Sequence, residues 1–100
     1  MIAMNNPLFR LGQMVATPGA IEAMQKAHQS PWEFLSRHVA GDWGMVSADD
    51  KAANDASLKD GSRILSAYKL NTGEKVWVIT EAEDDKGQRV ATTILLPEEY

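Results

Sequence analysis

The sequence predicts an α+β fold in which three short N-terminal helices pack on a three-stranded antiparallel β-meander. Apolar residues recur at helical spacing up to Gly61, the period changes to two after it, and short turns join the later segments. One hundred residues fit a single domain over 1–100, with residues 1–7 as a loose lead-in.

The elements follow in chain order. "LFRLGQMVAT" (8–17) has a mixed pattern that fits a short N-terminal strand or an extended arm; as a strand it places Leu11, Gln13 and Val15 on one face. In "TPGA", Thr17 caps a helix and Pro18 takes its first position, where a missing N–H costs nothing. Ile21, Met24 and His28 then share a stripe. In "SPWEF", Ser30 caps, Pro31 follows, and Glu33 completes a capping box; Trp32, Leu35 and Val39 form the stripe, and Gly41 ends the helix. In "SADDKAANDASLKDG", Ser47 caps, Asp49 and Asp50 suit the positive helix end, and Gly61 is the stop. Ala52, Ala56 and Lys59 make only a thin stripe, so this helix is expected to be the most exposed of the three or closely packed.

"RILSAYKL" (63–70), "KVWVIT" (75–80) and "RVATTILL" (89–96) read as strands, with "NTGE" and "EDDKGQ" as the turns between them. Trp77 is expected to cover the helices or to pair across the sheet, and Trp32 to pack. Tyr100 is free either to fold back onto the sheet or to face outward.

Composition excludes several kinds of function. The chain has no cysteine, which removes thiol nucleophiles and thiolate metal sites. No apolar run approaches the roughly 20 residues of a membrane span, and "MIAMNNPLFR" lacks signal-peptide character, so the expected location is cytoplasmic. A net charge of −4 with no cluster of Lys and Arg disfavours phosphate-backbone binding. Phosphate-cradling glycine loops and nucleophile elbows are missing, and no cofactor is expected.

Taken together, "LGQMVATPGAIEAM", "SPWEFLSRHVAGDWG", "ILSAY", "KVWVITEA" and "TTILLPEEY" resemble a family of small uncharacterised bacterial proteins of plasmids, phages and other mobile elements, often labelled plasmid-related or hypothetical. The resemblance covers about residues 11–100; "EDDKGQRVA" looks longer than the family's corresponding loop. It implies an accessory role in a mobile-element setting and brings no catalytic residues with it.

Candidate functional residues centre on "HVAGDWG" (38–44). His38 and Asp42 are four apart, half of a nucleophile-activating arrangement if the helix continued through them. The plainer expectation places His38 in the last helical turn, partly cationic, complementing the helix dipole. A metal site would have to combine His28 and His38 with Asp42 or Glu33, and no metal-ligand spacing is present, so none is expected. "EAEDDKG" (81–87) lacks the residue order of a calcium loop and reads as a solvated turn. Trp43 either plugs the junction between the second and third helices or offers its ring to a partner.

The leading expectation is a non-enzymatic interaction protein that binds a host or plasmid protein. Inhibition of a host defence complex, anti-CRISPR-like, falls within that class. The expected contact residues are Asp42, Trp43, Asp49, Asp50 and Asp55. The alternatives are a nucleic-acid-associated regulator using Arg10, Arg63, Lys69, Lys75 and Arg89, and a small enzyme built on His38 and Asp42. A free sheet edge could also form a homodimer.

Overall fold

Helices come first and strands afterwards, with one further strand ahead of them all. The computed structural model describes residues 7–100, and the expected lead-in, apart from Pro7, lies outside the described residues. The order is β1 (Gln13–Ala16), α1 (Pro18–Ala27), α2 (Pro31–Val39), α3 (Ala48–Asp60), β2 (Ile64–Lys69), β3 (Lys75–Thr80), β4 (Ala91–Leu95) and a short 3-10 turn (Pro97–Glu99).

The expected antiparallel meander is present as β2–β3–β4, but the sheet has four strands in the order β1-β4-β3-β2, and β1 runs parallel to β4. The sheet is therefore mixed. Without β1 the outer N–H and C=O groups of β4 would be an unpaired edge. Instead Gln13 N donates to Val90 O at 3.0 Å and Thr17 N to Ile94 O at 3.0 Å. Close entry depends on Gly12, whose φ is +65° and whose Cβ, if present, would lie 2.3 Å from the Arg89 carbonyl oxygen.

Strand register sorts the side chains into two faces. Ile64, Ser66, Tyr68, Val76, Val78, Thr80, Thr92 and Ile94 form one row, all essentially inaccessible. They meet Ala20, Ala23, Met24 and Ala27 of α1 and Phe34, Leu35 and Val39 of α2. Burying each large side chain of this core stabilises the fold by about 1.5–3 kcal/mol. The second row holds Leu65, Ala67, Trp77, Ile79, Thr93 and Leu95.

The caps form at the expected residues. Thr17, Ser30 and Ser47 accept from the backbone N–H of Ala20, Trp32 and Asp50, and Gly61 ends α3 in the left-handed region. The stripes agree in part: Met24, Leu35 and Val39 are buried as expected, but in α1 Ala20, Ala23 and Ala27 are buried as well and Ile21 is 43% exposed, and in α2 Phe34 and His38 are buried while Trp32 is exposed. The buried face of α2 is wider than expected because Phe34 packs against Tyr68, with ring centroids 5.6 Å apart. Glu33 does not reach back to Ser30; its carboxylate accepts from Gln29 Nε2 at 2.7 Å. As expected, α3 is the most exposed helix, with only Asn54 and Ser57 buried.

Those two residues close the outer edge of β2. Asn54 Nδ2 donates to Leu65 O at 2.7 Å and Leu65 N donates to Asn54 Oδ1 at 3.1 Å, while the Ser57 hydroxyl shares its proton between Ala53 O at 2.8 Å and Arg63 O at 3.2 Å. Farther along, Ala67 N donates to Trp43 O and Met45 N to Ala67 O. One amide side chain and a two-bond bridge thus do what a fifth strand would do. The other edge, β1, pairs with no further strand among the described residues.

Candidate functional site

His38 is fully buried, which overturns the expectation of a partly cationic helix-end residue. It lies one turn beyond Phe34 on the face of α2 turned to the sheet. Its Nδ1 is 2.6 Å from Ser66 Oγ and its Nε2 2.9 Å from Thr80 Oγ1. The chain continues through Thr80 Oγ1 to Thr92 Oγ1 at 2.7 Å, and Thr92 donates to Leu11 O at 2.7 Å. That last bond sets every other donor. Thr92 has spent its only proton, so Thr80 donates to Thr92; Thr80 therefore accepts from His38, which must carry its proton on Nε2. Nδ1 is left to accept from Ser66. The ring is neutral: burial, reinforced by the positive charge of Arg89, pushes its pKa down to about 3. A neutral imidazole with both nitrogens engaged and no solvent contact is a structural bolt between α2, β2 and β3.

Asp42 does not join it. Its carboxylate pairs with Arg37 Nε at 2.7 Å and accepts from Gly44 N at 3.1 Å, and the Arg37 hydrogen bond holds its pKa below the usual carboxylate range. Its carbonyl accepts from the Tyr68 hydroxyl at 2.6 Å. The His38–Asp42 arrangement considered for catalysis has separate partners at each end. His28 is exposed, in a left-handed cap at the end of α1, whereas His38 is buried with both ring nitrogens bonded. Among the described residues no group of three or more His, Cys, Asp or Glu is placed to hold a metal ion.

Trp43 is buried, only 5% exposed, which removes it as an offered contact ring. It stacks on Phe9 at 6.3 Å, meets the His38 ring edge-on at 5.9 Å, and donates through Nε1 to Asp55 Oδ1 at 3.1 Å. Gly44 lets the corner approach β2: its φ is +73°, and a Cβ there would stand 2.0 Å from Ala67 O. Asp49 and Asp50 are exposed in the first turn of α3, and Asp55 is exposed while bonded to Trp43. The structure thus joins Trp43 and Asp55, but as an internal brace.

The basic residues separate as well. Arg89 is buried, donating to the carbonyls of Ser57, Ser62 and Glu81, and so it is no part of a basic surface. Arg63, Lys69 and Lys75 are exposed, and Lys69 and Lys75 face each other across the β2–β3 register.

The exposed constellation that does assemble is on the second face of the sheet. α1 and α2 pack on the first face and α3 lies along the β2 edge, so the 3-10 turn and Tyr100 lie against the second row. Trp77 is half-buried, and the Tyr100 ring meets it edge-on at 5.6 Å. Arg63 donates from Nη1 to the Tyr100 hydroxyl, its guanidinium 5.6 Å from the ring centre. The Glu99 carboxylate holds this turn in place, accepting from Thr17 Oγ1 at 2.5 Å, Leu96 N at 2.9 Å and Gly19 N at 3.3 Å. Those bonds, the Thr17 hydroxyl first, keep its pKa low. Tyr100 remains 67% exposed. Sequence reasoning expected Trp77 to cover the helices or to pair across the sheet and left Tyr100 open; Trp77 pairs across the sheet with Ala67 and Leu95 on the row turned away from α1 and α2. The usable signal was "KVWVIT", apolar on both alternating rows, where a solvated face would be polar.

Fold and site together define an α+β scaffold with a mixed four-stranded sheet, one face packed by helices and the other carrying an aromatic–arginine cluster. Comparison with protein-family models, curated proteins and solved structures finds no match to this chain. Among the described residues no helix is long and apolar enough to cross a membrane.

Proposed function

We propose that this chain acts by binding another protein through the second face of its sheet, as an accessory protein and not as a catalyst. The observation that carries this reading is the cluster of Trp77, Tyr100 and Arg63 on that face. Trp, Tyr and Arg are the residue types that dominate binding hot spots, because each combines a large apolar body with a directed polar group. Around them Leu65, Ala67 and Thr93 are half-buried and Val15 is 42% exposed, while Lys69 and Lys75 supply a charged rim. The resemblance to proteins of plasmids and phages sets the expected context, a host or plasmid protein as partner, with inhibition of a host defence complex as one form. The contact surface proposed here replaces the 42–44 corner, whose tryptophan is inside the protein.

Affinity capture from the host with the wild-type chain and with Trp77→Ser tests this. The expected result is one partner recovered by the wild type and reduced about thirty-fold by the variant, the effect of losing a hot spot of about 2 kcal/mol. Equal recovery by both, or no reproducible partner, refutes it. A mobility shift with single-stranded oligonucleotide at low salt examines the nucleic-acid alternative, which has lost Arg89 from its basic set and faces a net charge of −4.

A further inference from the structure

A groove of about 750 Å³ opens between the 8–12 segment, α3 and the 83–90 hairpin. Its wall includes Arg89, a cation 6% exposed with no carboxylate in ion-pair range among the described residues. A guanidinium has five N–H donors. Nη1 donates to Ser62 O at 2.7 Å and Glu81 O at 3.0 Å, and Nη2 to Ser57 O at 2.9 Å. Among the described residues two donors are left over, one on Nε and one on Nη2, neighbouring nitrogens of the kind that grip a carboxylate bidentately. No buried side-chain nitrogen or oxygen among the described residues lacks a partner. Among the described residues Nε makes no hydrogen bond, so it is not sealed from solvent, and Arg89 is part of the groove wall.

We propose that this groove binds a small oxyanion, a carboxylate or phosphate monoester with an apolar body. The Arg89 guanidinium takes the anion, and Leu8, Phe9 and Leu58 in the same wall receive the apolar part. The Phe9 ring, 5.8 Å from the guanidinium carbon, holds the fork from one side. Carbonyls at the end of α3 offset part of the Arg89 charge, but they are fixed dipoles, and a full anion in a partly desolvated groove gains more from the same cation. Arg10, exposed in the groove wall, adds attraction for the incoming charge. Glu83, also in the wall, works against an extended polyanion and so favours a compact one.

The test is a nitrogen–proton NMR titration of the intact protein with benzoate, phenyl phosphate and, as a neutral match, benzyl alcohol. The expected result is saturable movement of the Arg89 Nε–H signal and of the Gly12, Gln88 and Val90 amides with at least one anion, at a Kd of about 1 mM or tighter. Which anion saturates tells carboxylate from phosphate. Arg10→Gln should weaken that binding about three- to ten-fold, with the tightest loss at low salt. Shifts that are equal with benzyl alcohol, or no saturation with either anion, overturn the proposal. So does a folded Arg89→Lys variant that binds like the wild type.

Discussion

Acidification should destabilise this protein well before its carboxylates titrate, through His38. In the folded state the ring has a pKa of about 3, against 6.5 when unfolded. The unfolded chain therefore binds more protons between these values, and stability rises with pH across that window. The contribution is complete above the unfolded pKa and is lost as pH falls towards the folded one. The full span corresponds to about 5 kcal/mol, and the part between pH 7 and pH 5 to roughly 2 kcal/mol. Asp42, Asp60 and Glu99 also have lowered pKa values, but their contributions are lost only as pH falls through the ordinary carboxylate range and on towards the lowered values. Urea unfolding followed by tryptophan fluorescence at pH 7, 6 and 5 isolates the histidine. With a slope of about 1–3 kcal/mol per molar, the midpoint should fall by about 1 M between pH 7 and pH 5. NMR of the ring nitrogens should show a proton on Nε2 and no titration in that range. A flat midpoint, or a His38 that titrates near its ordinary value, would refute the buried hydrogen-bond chain.

Thr80→Val keeps the shape but leaves His38 Nε2–H without an acceptor, so it should cost about 1–3 kcal/mol, read as a lowered Tm. Asn54→Ala strips both partners from Leu65 on the β2 edge; a loss of about 2–3 kcal/mol and new self-association by light scattering are expected. Gly44→Ala combines a left-handed backbone with a collision at Ala67 O and should lower stability by more than about 2 kcal/mol in thermal melts. Trp43→Phe loses one hydrogen bond to an exposed carboxylate and part of a buried ring packed on Phe9 and His38, and should cost about 2–3 kcal/mol by denaturant unfolding, with the fold intact by circular dichroism.

Helix starts were legible because a cap is a contact within three residues, as between Ser47 and Asp50. The same holds for the Gly61 stop and for the 71–74 and 83–88 turns. Stripe phase was less legible: in α1 Ala20, Ala23 and Ala27 are buried in the core with Met24 while Ile21 is 43% exposed, since small side chains let a helix pack closely. Trp43 was readable as a junction plug or a contact, and its burial against Phe9 and His38 decided between them. Arg89 read as a surface cation because nothing near it in sequence announces three backbone carbonyls drawn from α3, the loop after it and the end of β3.

By itself the sequence determined the α+β class, the three capped helices, the antiparallel β2–β3–β4 run and the absence of thiol chemistry. All of these depend on composition or on neighbours a few positions apart. Tertiary structure alone decided that β1 joins β4 in parallel, that His38 is a neutral bolt tied to residues 28 and 42 positions away, and that the aromatic–arginine cluster is exposed. Local signals report torsion preferences, whereas partners this distant are chosen by which surfaces remain to be buried once the elements have formed.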